Sequence, residues 1–441
     1  MKLLHVPFTF YPDPAGGTEI YVQGLAREQQ RLGSSVIVAA PAEQNAAYRH
    51  DGLMVRRFAV CPTVKDPREL YGDGDPHAAE AFARILDEER PDVVHLHAFT
   101  RAVSLRLVRE ARRRDLPVVF SYHTPTGSCQ RGTLMRWGSD ICDGVLDVRA
   151  CASCSLHGHG LAKTASVVAG SLPSGVGRLL GSIGISGGLW TALRMTELVE
   201  LRHSAFHALM READHVIALC QWVKDLLLRN GVPAERLTVS RQGIGQEFPT
   251  RSEHVASPTL RVAFLGRLDP SKGVHLLVAA LRGNPQLSVR LDVFGVAQGK
   301  ADRTYGKGLA KLASGDPRIA FHAPIPNDQV MERLQEYDLL AVPSQCLETG
   351  PIVVMEAFAA GVPVAGSNLG GIVELVEHGV NGLLVEPTSP DAWAEALRRL
   401  SRDPDLLARL RSGIRPSRTM RDAAIDSMSI YRHVSQEAPV G

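Results

Sequence analysis

Two carboxylates eight positions apart, Glu348 and Glu356, stand in the run CLETGPIVVMEAFAAGVPVAGSNLGGIVELVEHGVNGLLVEP, beside three clusters of small residues. Small residues let the main chain approach a ligand, and carboxylates accept hydrogen bonds from hydroxyls. The run therefore suits a site that grips a polyhydroxylated, phosphorylated ligand with backbone and side chains together. A second island, FLGRLDPSKGV from Phe264 to Val274, supplies the cations such a ligand needs. Arg267 offers fixed forked donors and Lys272 a compact charge. Read singly, either glutamate could be a solvated helix-face residue, and the two cations could solvate a turn. In the N-terminal half, His123 closes an apolar run, and four of the seven cysteines, Cys129, Cys142, Cys151 and Cys154, share one polar stretch.

The segments that must position these residues follow an α/β rhythm. LLHVPF, SSVIVAA and PDVVHLHAF are short apolar runs alternating with helical periodicity at residues 19 to 32 and 77 to 88, as in a parallel sheet with crossover helices. LPVVFSYH adds a strand whose end exposes His123; HVIALC and RLTVS resume the sheet after the cysteine-rich excursion. The rhythm then restarts with LRVAFLGR, SVRLDVFG, IAFHAP, YDLLAVPS and VPVAGS. Two Rossmann-like α/β domains facing a central cleft explain the restart, joined near residues 245 to 258. Their expected limits are 1–245, with a cysteine-rich and helical insertion at 124–212, and 246–415. The segment from 416 to 441 reads as a C-terminal helix returning to the N-terminal domain.

Composition narrows the class. The chain has 441 residues, 44% of them hydrophobic, and a formal charge of +2 from 49 basic and 47 acidic residues. That length suits two cores, and so small a charge gives no reason to expect nucleic acid. Pro7 and the following YPDPAGG read as strand and loop, not a signal peptide, and Lys163, Pro173 and Arg178 interrupt the apolar stretch from Gly160 to Trp190. Cytoplasmic residence is the default expectation. The apolar, glycine-rich Leu179 to Met195 leaves peripheral membrane contact open beside packing within the domain.

Taken together, the paired glutamates, EAFAAGVPV, GGIVELV, the GR…SKG island and the early PAGGTE loop resemble the retaining glycosyltransferases of family 4, across nearly the whole chain. The resemblance implies the GT-B architecture and a nucleoside-diphosphate sugar as co-substrate, with no catalytic metal. It places Arg267 and Lys272 against the diphosphate, where they stabilise charge as the sugar–phosphate bond breaks. Glu356 would accept hydrogen bonds from the ribose hydroxyls and Glu348 would lie near the donor sugar. Gly16 and Gly17 would admit the main chain to the phosphate side. Backbone amides around Thr349 and Ile352, Gly350, and the loop from Asn368 to Gly371 would meet sugar or phosphate oxygens. His123 matches the family histidine near donor sugar and acceptor, better suited to hydrogen-bonding a hydroxyl than to acting as a general base. His95 and His97 read as packed or hydrogen-bonded strand residues. Glu348-Thr-Gly-Pro departs from the commoner acidic-glycine-aromatic-glycine form, and Pro351 removes an amide donor. Arg241 and Gln242 stand where the family carries a proline-asparagine-glycine turn, of which Gly243 alone persists.

The expected activity is transfer of a sugar, with retention, to a hydroxyl on a glycan, lipid or small molecule. A nucleotide-sugar hydrolase or epimerase, and a non-catalytic nucleotide-sugar or glycan-binding protein, are the alternatives. For the cysteines, a structural zinc ion is the first reading, with an iron–sulfur cluster and disulfides or free thiols beside it. His157 and His159 are nearby substitutes, and Cys61, Cys220 and Cys346 read as small buried or neutral residues.

Overall fold

The computed structural model describes residues 1–13, 16–64, 66–183, 187–245, 257–297 and 299–437. Pro14 and Ala15 of the early loop, and most of the 245 to 258 junction, lie outside the described residues. The chain divides into two compact units, Met1–Arg241 with Met420–Gly441, and Gln242–Thr419.

The first unit contains β1 (Lys2–Val6), β2 (Ser35–Ala42), β3 (Ala46–His50), β4 (Leu53–Ala59), β5 (Val93–Leu96), β6 (Val118–Tyr122), the hairpin of β7 (Met135–Arg136) and β8 (Asp140–Ile141), β9 (His215–Ala218) and β10 (Leu237–Val239). Its main sheet runs β10-β9-β6-β5-β1-β2-β4-β3. All neighbours are parallel except β3, which turns back on β4. That turn is Asp51-Gly52, both at positive φ, the two-residue hairpin geometry that aspartate and glycine accept. The inner strands are buried along their whole length, which is why they read as continuous apolar runs. The helix Met420–Glu437 packs on the first helix, Gly17–Arg31.

The second unit is built on β11 (Leu260–Arg267), β12 (Val289–Val296), β13 (Ile319–His322), β14 (Leu339–Val342), β15 (Val364–Ser367) and β16 (Gly382–Val385), parallel and ordered β13-β12-β11-β14-β15-β16. Alternate residues feed two cores. Val262, Phe264, Leu339 and Ala341 join one with Trp393, while Ala263, Leu340 and Val342 join the other with Phe358. Strand order reverses between β1 and β5 in one unit and between β11 and β14 in the other. A reversal splays the following loops apart and opens a crevice at the carboxyl ends of the strands. Gly16, Lys272, Glu348, Thr349 and Gly350 fall in those loops, whereas His123 follows β6 and the four cysteines lie beyond it.

Candidate functional site

In the second unit, Arg267 ends β11 and is exposed, and its charge helps to hold the Glu348 carboxylate ionised. Asp269 then caps a single helical turn, Pro270–Lys272, its Oδ1 accepting from the Ser271 amide at 2.8 Å. The chain leaves through Gly273 at φ 72°, where a Cβ would come 1.9 Å from the Pro343 carbonyl oxygen. Only glycine lets the loop after β11 press on the loop after β14. The Gln345 amide seals them by donating to the Ser271 carbonyl at 2.6 Å. Lys272 Nζ thereby reaches Glu348 Oε1 at 2.5 Å, and the Ser344 hydroxyl donates to the same oxygen at 2.7 Å. Burial works against both charges, but their attraction outweighs it. The Glu348 carboxyl is held below, and the Lys272 ammonium above, the ordinary range.

Thr349 is buried, and Gly350 at φ 153° takes a path closed to other residues. Ile352 opens the helix Ile352–Ala359, placing its amide among the first-turn donors that a helix leaves unused. Glu356 is the one charged residue of that otherwise apolar helix, and burial pushes its carboxyl up to about 7. The small residues after β15 also have a geometric reason. The Gly371 amide donates to the Glu348 carbonyl at 2.7 Å, and a Cβ on Gly371 would stand 2.8 Å from that oxygen. Arg267, Lys272, Glu348, Thr349, Gly350 and Ile352 are thus gathered on adjoining loops of one unit, with Glu356 one helical turn beyond.

In the first unit, Gly16 and Gly17 open the first helix, and Glu19 turns back so that its Oε2 accepts from the Gly16 amide at 2.8 Å. This closes the helix start. Strand pairing sets His5 opposite His95. From there a buried row of imidazoles runs to His123. His5 Nδ1 lies 2.8 Å from His97 Nε2, and His97 Nδ1 lies 2.9 Å from His123 Nε2. At the other end His5 Nε2 meets Gln29 Oε1 at 2.7 Å, and the Gln29 amide nitrogen donates to Ser427 Oγ of the final helix at 2.9 Å. Ser427 gives its own proton to the Ala424 carbonyl.

With the Gln29 amide so oriented, the row has one polarity. Gln29 Oε1 can only accept, so His5 Nε2 carries a proton and His5 Nδ1 accepts; His97 Nε2 then donates, and so does His123 Nε2. The lone pair of His123 lies on Nδ1. Burial keeps the imidazoles neutral, lowering His5 to about 4 and His123 to about 3, with His95 and His97 well below their ordinary value. A group so far below neutrality is a poor proton acceptor near pH 7 but a sound hydrogen-bond partner. His95 branches from the row, held between Ser121 at 2.8 Å and the Tyr431 hydroxyl at 2.5 Å.

Among the described residues, His5, His95 and His97 alone offer three ligand atoms within 4.8 Å of one another. Each of their six ring nitrogens already has a hydrogen-bond partner, so a metal would first have to displace that network. Sequence reasoning did not reach Gln29, Ser344, Ser427 or Tyr431. The partners of Gln29, Ser427 and Tyr431 lie up to 402 positions away, where no local spacing marks them, while Ser344 sits four residues before Glu348.

The four clustered cysteines are free thiols. Cys129 follows the turn Pro125–Gly127, Cys142 follows β8, and Cys151 and Cys154 lie one turn apart on the helix Val148–Gly158. Burial, and then the thiols of Cys129, Cys142 and Cys154, push the Cys151 thiol up to about 12.

Two doubly wound units with polar loops at their sheet reversals define a two-domain α/β nucleotide-type fold. Residues 16–243 match the Glycosyl transferase 4-like domain, and residues 249–415 match Glycosyl transferases group 1. The chain belongs to the family 4 glycosyltransferases and is an enzyme of the GT-B fold. It is 26% identical over 445 residues to a D-inositol 3-phosphate glycosyltransferase of Xylanimonas cellulosilytica, covering 96% of this chain and 93% of that one. A protein with the same description from Corynebacterium efficiens is 36% identical over 155 residues, 34% of this chain and 36% of its own. Among solved structures, sucrose-phosphate synthase from Thermosynechococcus elongatus superposes with TM-score 0.68 at 19% identity, covering 98% of this chain and 99% of that one. Anabaena HepE in complex with UDP and glucose superposes with TM-score 0.62, also at 19% identity, covering 99% and 98%.

Proposed function

We propose that this chain is a retaining glycosyltransferase that moves a sugar from a nucleoside-diphosphate sugar to a hydroxyl acceptor in glycan, glycolipid or glycosylated-metabolite synthesis, in the cytoplasm. The observation that carries this reading is the convergence of Arg267, the Lys272–Glu348 pair and Glu356 on the loops and helix at the reversal of the second sheet. Arg267 and Lys272 meet the diphosphate and take up the charge that grows as the bond to the sugar breaks. Glu348 fixes Lys272 and lies toward the donor sugar; Glu356 accepts from the ribose; the amides near Thr349, Gly350 and Ile352 bind oxygens. His123 hydrogen-bonds a sugar hydroxyl through Nδ1. The acceptor's proton passes to the leaving phosphate on the same face, since so weakly basic a histidine is no match for the task.

Incubation with a panel of nucleotide sugars and hydroxyl acceptors, including inositol phosphates, tests this. Transfer with retained configuration is expected, and Arg267→Ala should abolish it while the fold persists. Full activity in that variant contradicts the role of Arg267. Release of free sugar without transfer would favour a hydrolase, and tight nucleotide-sugar binding without turnover a binding protein.

A second reading concerns the membrane. Val168, Leu179, Ile183 and Leu189 are exposed within the insertion, where a purely internal packing role would have buried them. We assign this face to peripheral contact with lipid. Among the described residues no helix is long and apolar enough to cross a membrane.

A further inference from the structure

The segment that follows His123 buries few side chains of its own. From Cys129 to Arg149 the buried residues are Leu134, Met135 and Gly144. The backbone nevertheless turns left-handed at Leu134 (φ 52°) and Trp137 (φ 58°). Each such turn at a bulky residue costs on the order of 1–3 kcal/mol and persists only where surrounding structure enforces it. Hydrogen bonds brace the path, from the Cys142 amide to the Leu134 carbonyl at 2.9 Å and between Asn230 and both Gly144 and Leu146, but few side chains are buried to hold it.

What the segment does have is sulfur. Cys129, Cys142, Cys151 and Cys154 line a single cavity of about 40 Å³, with Arg131 and Arg136 on the same wall. They come from three separate pieces of chain, a turn, a hairpin end and one face of a helix, so a common ligand would tie all three together. The Trp137 amide lies 3.3 Å from Cys154 Sγ. An amide aimed at sulfur is the outer-shell partner a metal thiolate needs, and it comes from the residue whose backbone is left-handed.

We propose that these four cysteines form a structural zinc site, independent of the sugar-transfer site. On binding, four thiols release their protons to solvent and four thiolates bond the ion. The resulting centre carries a net charge of minus two, which Arg131 and Arg136 offset. Zinc needs four sulfurs in a tetrahedron at about 2.3 Å. The thiols stand wider than that, since among the described residues only the histidine set brings three ligand atoms within 4.8 Å, so side-chain rotation must draw them inward. A cavity of this size admits one ion. An iron–sulfur cluster would hold the four thiolates farther apart than zinc does, but its own sulfides need more room than a cavity of about 40 Å³. The ion stands in for the missing core and fixes the chain that leaves β6 directly after His123.

Elemental analysis of the full chain, purified without added metal or chelator, should find one zinc per chain. Alkylation mapped by residue should find Cys129, Cys142, Cys151 and Cys154 shielded until a chelator is added, whereas Cys220 stays shielded by burial throughout. Cobalt substituted for zinc should give the intense visible absorption of a tetrahedral tetrathiolate, a result that needs no variant. Cys151→Ser should lose the metal, while Cys61→Ser and Cys220→Ser keep it. Far-ultraviolet circular dichroism and resistance of the first unit to limited proteolysis show whether a metal-free variant has simply failed to fold. Iron with acid-labile sulfide, a disulfide among the four, four freely reactive thiols at these positions without metal, or zinc that survives Cys151→Ser but is lost in His97→Gln would each overturn the proposal.

Discussion

Replacing Glu356 by Gln should uncouple nucleotide binding from pH. Burial raises this carboxyl from 4.5 to about 7, so ionising it in the folded chain costs about 3 kcal/mol at 1.36 kcal/mol per pH unit. At pH 7 roughly half the molecules carry the proton. A bound ribose brings hydroxyl donors that favour the carboxylate and pull its pKa down. Nucleoside-diphosphate binding should therefore release about half a proton at pH 7 and nearly one at pH 6, and weaken about tenfold per pH unit below 7. Titration calorimetry in buffers of different ionisation heat counts these protons. The nucleotide's own phosphate also titrates in this range, and Glu356→Gln subtracts it. Because the folded value lies above the unfolded one, the carboxyl also stabilises the fold most below about pH 4.5, and that contribution is lost as pH rises through about 7. Equal proton release by wild type and the Gln variant would refute both the buried acid and its contact with the ribose.

Lys272→Met leaves the Glu348 carboxylate in a largely buried setting without its cation, and denaturant unfolding should show a loss of about 3 kcal/mol. Lys272→Met with Glu348→Leu should recover most of it; a loss below about 1 kcal/mol in the single variant would mean that the pair is solvated. Gln29→Leu removes the acceptor that sets the polarity of the histidine row. Turnover should fall about tenfold, one hydrogen bond's worth, at unchanged donor KM, and Gln29→Glu should restore it. Unaltered ring-nitrogen chemical shifts at His123 in the Leu variant would contradict the relay. Leu179→Asp with Ile183→Asp should weaken co-sedimentation with anionic vesicles several-fold without changing transfer to a water-soluble acceptor, and equal sedimentation would remove the membrane face.

The parallel strands were legible because burial on both faces writes itself as unbroken apolar runs, as in VVFSY of β6. The edge pair β3 and β4 escaped the reading although Asp51-Gly52 announces a hairpin; Ala46–His50 is short and mostly exposed, so its composition is not that of a core strand. Around the site, Glu348, Glu356, Arg267 and Lys272 could be picked out because their neighbours are small and their islands compact. The reason for those small neighbours became visible only with the backbone in view. Gly273 and Gly371 are required by carbonyl oxygens more than 20 positions away along the chain. His5, Gln29 and Ser427 lay beyond reach for the same reason, since their relation exists only once β1 pairs with β5 and the final helix is seated.

The seating of that final helix governs the order in which the chain can mature. Gln29 emerges early in synthesis and Ser427 398 positions later, with the whole of the second unit translated between them. That second unit is contiguous and can fold as it leaves the ribosome. The first must hold its histidine row open until Ser427 has been translated. A fragment ending at Arg241 would lack the helix that closes it, whereas 242–419 keeps both of its own cores, and a protease that removes Met420–Glu437 would open the first unit while sparing the second.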